Sequence, residues 1–260
     1  MKTLVILTLV QLVSVFSFGY ILPLDVILQK NAALAGNSII SVDQEVIFKD
    51  SYKEFVVKEN WLIEGDRNLR LTARGAGELK DLVSIAAVYN NKNKTSISGK
   101  NRQSRPFGED FFEKYLAIKS KESFQNYFKE MGISPNVRLS RAAGAVCFAV
   151  GDPPKTATST PSPEVWFDQD SFRLAKMRFP GNAEVEFSDY AVYNNVHYPR
   201  KKLVTWGDKT VTIRVLKVST KTSTTIKSFY PESLEQASEI SVSRLGGMGA
   251  SIEEFYKRFR

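Results

Sequence analysis

The chain has 260 residues, 43% of them hydrophobic and 25% charged, with 36 basic against 28 acidic residues and a formal net charge of +8. That is enough for one sizeable core. The basic residues are interspersed with acidic ones and form no nucleic-acid arm, so no nucleic-acid partner is expected. A single cysteine, Cys147, rules out an intramolecular disulfide.

At the N-terminus, Lys2 is followed by an apolar run from Leu4 to Phe18, with small residues at Ser17 and Gly19. This is the pattern of a secretory signal, cleaved after Gly19 or after Ser17. The competing reading is an uncleaved anchor, because Leu4 to Leu24 is just long enough to span a bilayer. Either way the body lies outside the cytoplasm, in the periplasm. The expected division is a signal peptide over 1–19, an unclosed barrel domain over 20–221 and a C-terminal helical tail over 222–260.

Leu24 to Ala35 has helical spacing, with Gly36 and Asn37 as stop residues. Ser41–Phe48 and Glu54–Ile63 alternate as strands. In the second, Phe55, Val57, Trp61 and Ile63 share a face with Glu59, and a carboxylate there needs a partner or an edge position. The turn at Glu64–Asp66 leads into a third strand, Asn68–Ala73. That hairpin offers Arg67 or Arg70 as the ion-pair partner of Glu59.

Leu82–Tyr89 is a nearly continuous apolar strand, and Thr95–Ser98 returns after an Asn/Lys turn. Asn93-Lys94-Thr95 matches the glycosylation acceptor pattern. Asp110–Ile118 and Lys121–Met131 read as a broken helical pair, with Ser120 as N-cap and Gly132 as stop. Phe124, Tyr127, Phe128 and Met131 fall at i, i+3, i+4 and i+7, while Phe111, Phe112 and Tyr115 form a second aromatic group. These faces suit either ordinary packing on a sheet or a lid over an apolar ligand.

Arg138–Val150 returns to strand, with Ala142, Ala143 and Gly144 marking a bulge or close approach. The Pro- and Thr-rich loop 151–164 follows. From Val165 to Val218, four or five alternating runs separated by short turns describe an antiparallel meander, which must curl to bury its apolar face. Beyond it, Pro231–Ile240 reads as a short helix and Leu245–Gly249 as a flexible joint. Ser251–Phe259 then begins with a capping-box spacing, Ser251 to Glu254. Its face of Ile252, Phe255, Tyr256 and Phe259 docks on the body more readily than on a membrane.

No catalytic constellation emerges. Cys147 lies in an apolar run, the single histidine is His197, and Asp168 and Asp170 share a turn where carboxylates are commonplace. No cluster with metal-ligand spacing is visible. Neither enzyme activity, a metal nor a cofactor is expected.

The series Val165-Trp166-Phe167-Asp168, Phe187-Ser188-Asp189-Tyr190 and Tyr198-Pro199 before a basic strand resembles the periplasmic lipoprotein carrier superfamily. Leu28-Gln29-Lys30 in the first helix adds to the likeness, as does Glu59 and Trp61 leading to Arg67-Asn68-Leu69-Arg70. This superfamily comprises the LolA/LolB-like fold of outer-membrane lipoprotein-sorting proteins. The resemblance implies an α+β protein: a strongly curved antiparallel sheet, an unclosed β-barrel, with helices covering the concave side.

It also implies binding of lipid or lipoprotein acyl chains without catalysis. The candidate lining is Phe55, Val57, Trp61 and Trp166 from strands, with Phe124, Phe128 and Met131 from the lid. Glu59, Arg67 and Arg70 are the lid ion-pair candidates. Arg200, Lys201, Lys202, Lys209, Arg214 and Lys217 could face anionic headgroups, giving peripheral membrane contact, or form a solvated edge. The alternative is an envelope structural or sensing module with a packed interior, working through a protein partner. The two differ in interior volume, since a carrier needs an apolar cavity of several hundred Å3, roughly 300–1,000.

Overall fold

The computed structural model describes residues 21–260 apart from 91, 109, 155, 157–160 and 222–225. The signal segment over 1–19 therefore lies outside the described residues, as does part of the Pro/Thr loop.

The first half of the chain lays down a meander: β1 (Ile39–Lys49), β2 (Glu54–Ile63), β3 (Asn68–Gly75), β4 (Val83–Asn90), β5 (Asn93–Ser98) and β6 (Asn101–Pro106). The second half lays down another. It runs through β7 (Val137–Ala142), β8 (Ala145–Val150), β9 (Glu164–Asp168), β10 (Leu174–Arg178), β11 (Glu184–Tyr193), β12 (Val196–Trp206) and β13 (Lys209–Lys221). A short β14 (Glu239–Ile240) pairs with β4 where β5 leaves it free. Every ladder is antiparallel, and β1 pairs with β13 to join the two meanders into one 14-stranded sheet. The sheet is not closed: β6 and β7 are its two ends.

Alternation decides which side chains enter the core. On β1, Ile40, Val42, Gln44, Val46 and Phe48 are buried in turn. On β2 the same is true of Phe55, Val57, Glu59, Trp61 and Ile63. These rows belong to one continuous core with residues from the three α-helices among the described residues, α1 (Leu24–Ala33), α2 (Lys121–Met131) and α3 (Gly246–Arg258). Edge-to-face contacts mark the joins, Phe124 with Phe167 and Phe255 with Phe48.

The α2 helix begins and ends as its sequence predicts. Ser120 Oγ accepts from Ser123 N at 3.1 Å, and Gly132 closes the helix at φ +70°. The Ala142–Gly144 run is the tip of the β7–β8 hairpin, with Ala143 and Gly144 both at positive φ.

Four local features differ from or add to the sequence reading. Residues before α2 form only a 3-10 turn, Glu113–Ala117, in place of a helix from Asp110. β6 is an additional strand that the sequence pattern does not reveal, because all six of its residues are exposed and none alternates. Pro231–Ile240 is a 3-10 turn over Pro231–Ser233 followed by β14.

The fourth concerns the glycine-rich joint, which is the first turn of α3: the helix starts at Gly246, so Ser251 is inside it. Ser251 Oγ donates to Gly247 O at 3.0 Å, one turn back, and does not cap an N-terminus. Gly249 permits this start, since a Cβ there would lie 2.1 Å from Val242 O. Ile252, Phe255, Tyr256 and Phe259 are all buried against the body.

Candidate functional site

The central strands carry polar residues at inward positions, and they meet. Gln44 and Glu59 stand directly opposite each other across the β1–β2 ladder. Gln44 Nε2 donates to Glu59 Oε2 at 2.7 Å, and Trp61 Nε1 donates to the same oxygen at 3.0 Å. From β12, Lys202 Nζ donates to Glu113 Oε1 and Oε2 at 2.8 and 2.9 Å and to Gln44 Oε1 at 3.0 Å. Tyr198 OH completes that side, donating to Glu113 Oε2 at 3.1 Å. Arg260 closes the set, with Nε 3.0 Å from Glu59 Oε1 and Nη2 3.2 Å from Glu59 Oε2. Its guanidinium also lies 3.4 Å from Glu113 Oε1 and near the rings of Phe112 and Phe255.

Two carboxylates and two cations thus balance in the interior, with Lys202, Glu113 and Arg260 side chains fully shielded from solvent. Burial alone would raise the Glu113 pKa, but Lys202 and Arg260 outweigh it, so the carboxyl is held below its ordinary value. Burial lowers Lys202, which faces a single carboxylate at close range. Burial would also lower Arg260, yet Glu59 and Glu113 more than offset it, and its pKa is raised. Outside this set, Lys94 Nζ donates to the backbone oxygen of Arg260 at 2.7 Å.

The expected partner of Glu59 is corrected. Opposite residues of a ladder share a face, and β2 pairs Glu59 with Ala73, Trp61 with Leu71 and Leu62 with Arg70. Arg70 is therefore on the other face, where it donates to Ser228 O and Ser233 Oγ. Arg67 sits in the turn, lining a half-open groove of about 480 Å3 with Asp66, Lys92 and Tyr127. The partner is Arg260, which no local spacing announces.

Lys202 is corrected too: it is a core residue, not a headgroup contact. Arg200 remains exposed and pairs with Asp189 at 2.5 Å, and Arg214 pairs with Glu45.

Of the proposed lining, Phe55, Val57, Trp61, Phe124, Phe128 and Met131 come together in the main core, each less than a tenth exposed. Trp166 lies apart, in a smaller cluster with Cys147, Ala149 and Ala175. The interior space around Trp61 is occupied by Tyr89, Phe111 and the Arg260 guanidinium.

Sequence reasoning missed Gln44, Glu113, Tyr198 and Arg260. The available signal was that Gln44 and Lys202 interrupt inward apolar rows just as Glu59 does.

Cys147 is buried, its Sγ near Ala142 O, and burial raises its pKa. His197 Nδ1 lies 3.3 Å from Arg173 Nη2. Asp168 accepts from Ser171 N at 2.7 Å, as a turn residue does. Among the described residues there is no group of three or more His, Cys, Asp or Glu side chains placed to hold a metal. No helix among them is long and apolar enough to cross a membrane.

No protein-family model matches the chain, and no curated protein sequence matches it. Solved structures do. A LolA superfamily protein from Nitrosomonas europaea superposes with a TM-score of 0.58 at 10% identity, covering 82% of this chain and 100% of that one. A putative outer membrane lipoprotein-sorting protein domain from Vibrio parahaemolyticus gives 0.55 at 12% identity over 82% and 98%. A DUF1329 family protein from Desulfovibrio piger gives 0.53 at 10% identity over 82% and 99%. At such identities the likeness is one of fold, and the fold is the LolA-like one that the tryptophan, aspartate and tyrosine series resembled.

Proposed function

We propose that this is an extracytoplasmic, non-enzymatic lipid-binding protein whose curved sheet is covered on its concave side by helices, with the hollow filled by the protein's own side chains when no ligand is bound. The observation that carries this reading is the seating of the α3 stripe. Phe255, Tyr256 and Phe259 lie in the core beside Phe48 and Trp206, a volume and chemistry that an acyl chain could replace. Each methylene transferred is worth about 0.8 kcal/mol, so a single chain competes with such a stripe.

The polar set suits a reversible seat. If α3 and Arg260 leave, Lys202, Glu113, Gln44 and Tyr198 still satisfy one another, and Glu59 keeps Gln44 and Trp61. Opening strands the Glu59 carboxylate without its cation and Lys94 Nζ without the Arg260 carbonyl, so the closed seat is favoured when no ligand is bound. Phe55, Val57, Trp61, Phe124, Phe128 and Met131 would then line the opened space. The fold likeness to a putative lipoprotein-sorting domain adds weight to lipid or lipoprotein acyl chains as the ligand.

The filled interior, by the volume criterion, favours the second reading, a structural or sensing module of the envelope acting through a protein partner. One experiment separates them: purification of the mature protein from its native envelope, followed by solvent extraction and lipid mass spectrometry. Stoichiometric acylated material supports the carrier, and a clean extract supports the module. The Phe128→Asp variant should lose lipid while keeping its β circular-dichroism signal.

A further inference from the structure

Next to Glu113, which faces the interior, Lys114 turns the other way. It is 8% exposed, and its Nζ lies 4.2 Å from the centroid of the Tyr127 ring, 5.1 Å from Tyr115 and 5.8 Å from Phe107. The hydroxyls of the two tyrosines are engaged elsewhere, Tyr127 OH with Asp66 Oδ2 and Tyr115 OH with Met131 Sδ. Only ring faces therefore meet the ammonium. Among the described residues the contacts of the Lys114 ammonium are these three rings, with no hydrogen-bond or ion-pair partner. An ammonium carries three donors, and ring faces offset only part of its lost hydration.

The side chain points into a half-open groove of about 580 Å3 between α2, the β4–β5 turn and Pro106–Gly108. Among the described residues, Lys92 and Lys129 stand at the same groove with Glu130 paired to Lys92, and Asp66 lies behind the Tyr127 hydroxyl. Phe107 and Met131 supply an apolar wall beside them. This is a cationic pocket with its innermost charge unanswered and a greasy side. It opens to the surface at the border of the core, where Tyr115 and Met131 are shared, and Lys114 itself is no part of the interior polar set.

We propose that this groove binds an anionic amphiphile, its carboxylate or phosphate head group seated on Lys114 and its apolar stem lying against Phe107 and Met131. An oxyanion supplies the acceptor that the ammonium lacks, and the charge-assisted bond forms in partly desolvated surroundings where it is stronger than in water. Burial brings the Lys114 pKa down to about 8, with Glu130 and Asp66 pulling it up and Lys92 pushing it down. Lys129, Tyr115 and Tyr127 are the other titratable groups at the groove or the ring cage. Binding of the anion is therefore strongest below pH 8 and weakens above it.

The test compares octanoate, octyl phosphate and uncharged octanol by calorimetry on the full chain at pH 7 and pH 9.5. The two anions should bind about tenfold more tightly than octanol at pH 7, the scale of one charge-assisted hydrogen bond. The preference should fall at pH 9.5 and vanish in Lys114→Met, with octanol binding unchanged. The ratio of the two anions identifies carboxylate or phosphate as the better head group. Equal affinity for all three probes, or an undiminished preference in folded Lys114→Met, overturns the proposal.

Should that variant fail to fold, 13C-methylated lysines in the wild-type chain give the answer. The Lys114 signal must shift with octyl phosphate and not with octanol, and no shift overturns the site. Loss of octanol binding alone would count against the interior carrier reading and leave this one standing.

Discussion

Arg260 Nε donates to Glu59 Oε1 at 3.0 Å, joining positions 201 residues apart in the chain. Both side chains are fully buried, so the pair is an all-or-nothing arrangement: intact, it is close to neutral for stability, and halved, it leaves a bare charge in the core. Arg260→Met should cost about 3–5 kcal/mol in urea unfolding. Adding Glu59→Gln to that variant should restore more than half of the loss. A double variant no better than the single would show that the cost arises from lost packing on Trp61 and Phe112.

Lys94 and Lys114 set the alkaline behaviour. Burial lowers their pKa values from 10.5 to about 7 and about 8, so between those values and the ordinary lysine range the unfolded chain holds more protons than the folded one. Stability must then rise with pH, the gain absent below pH 7 and complete above 10.5. Each pH unit of displacement is worth about 1.4 kcal/mol. Buried Tyr89, Tyr198 and Tyr256, whose pKa values burial raises, reverse the trend above pH 10. Thermal midpoints from pH 7 to pH 10 should climb in the wild type and climb less in Lys94→Met/Lys114→Met, where Lys202 and Lys119 still contribute.

Gly249 tests how α3 is seated. Because an added Cβ would meet Val242 O at 2.1 Å, Gly249→Ala must push the helix from its start, despite alanine's higher helix propensity. Hydrogen exchange should accelerate through residues 246–258 and leave β1 and β13 protected. Uniform slow exchange would mean that the contact relaxes without moving the helix.

Cys147 should be inert to thiol reagents in the native protein, since it is buried and its pKa is raised by desolvation and by Asp168. Labelling should appear only in denaturant, at the rate of global unfolding. Rapid labelling in buffer would indicate local opening of the β7–β8 hairpin.

Much of the sheet was legible because strand period and turn residues are local signals. β2, α2 with its Ser120 cap and Gly132 stop, and the meander of β9 to β13 all follow from them. β6 was not legible, because Arg102, Gln103, Ser104 and Arg105 offer no apolar face to count. The α3 start was hidden for a different reason: glycine signals freedom in a sequence, and here it answers the close approach of Val242 O. Glu59 could be recognised as needing a partner, but its partner depends on which face each β3 residue takes and on where a distant helix docks. Such choices are tertiary. Lys114 was invisible for the same reason, its significance arising from rings on Phe107, Tyr115 and Tyr127 that meet only in the fold.

The ladder between β1 and β13 matches Ile39 with Lys221 and Phe48 with Val211, so the seam of the molecule is made from almost its earliest and almost its latest strands. Until synthesis reaches Lys209 and beyond, each meander has a raw margin with nothing to zip against. Assembly must therefore wait for a contact of very high sequence separation, the kind that slows folding. A nascent chain of this topology spends its early life as two unfinished halves, in need of shelter from other sheets.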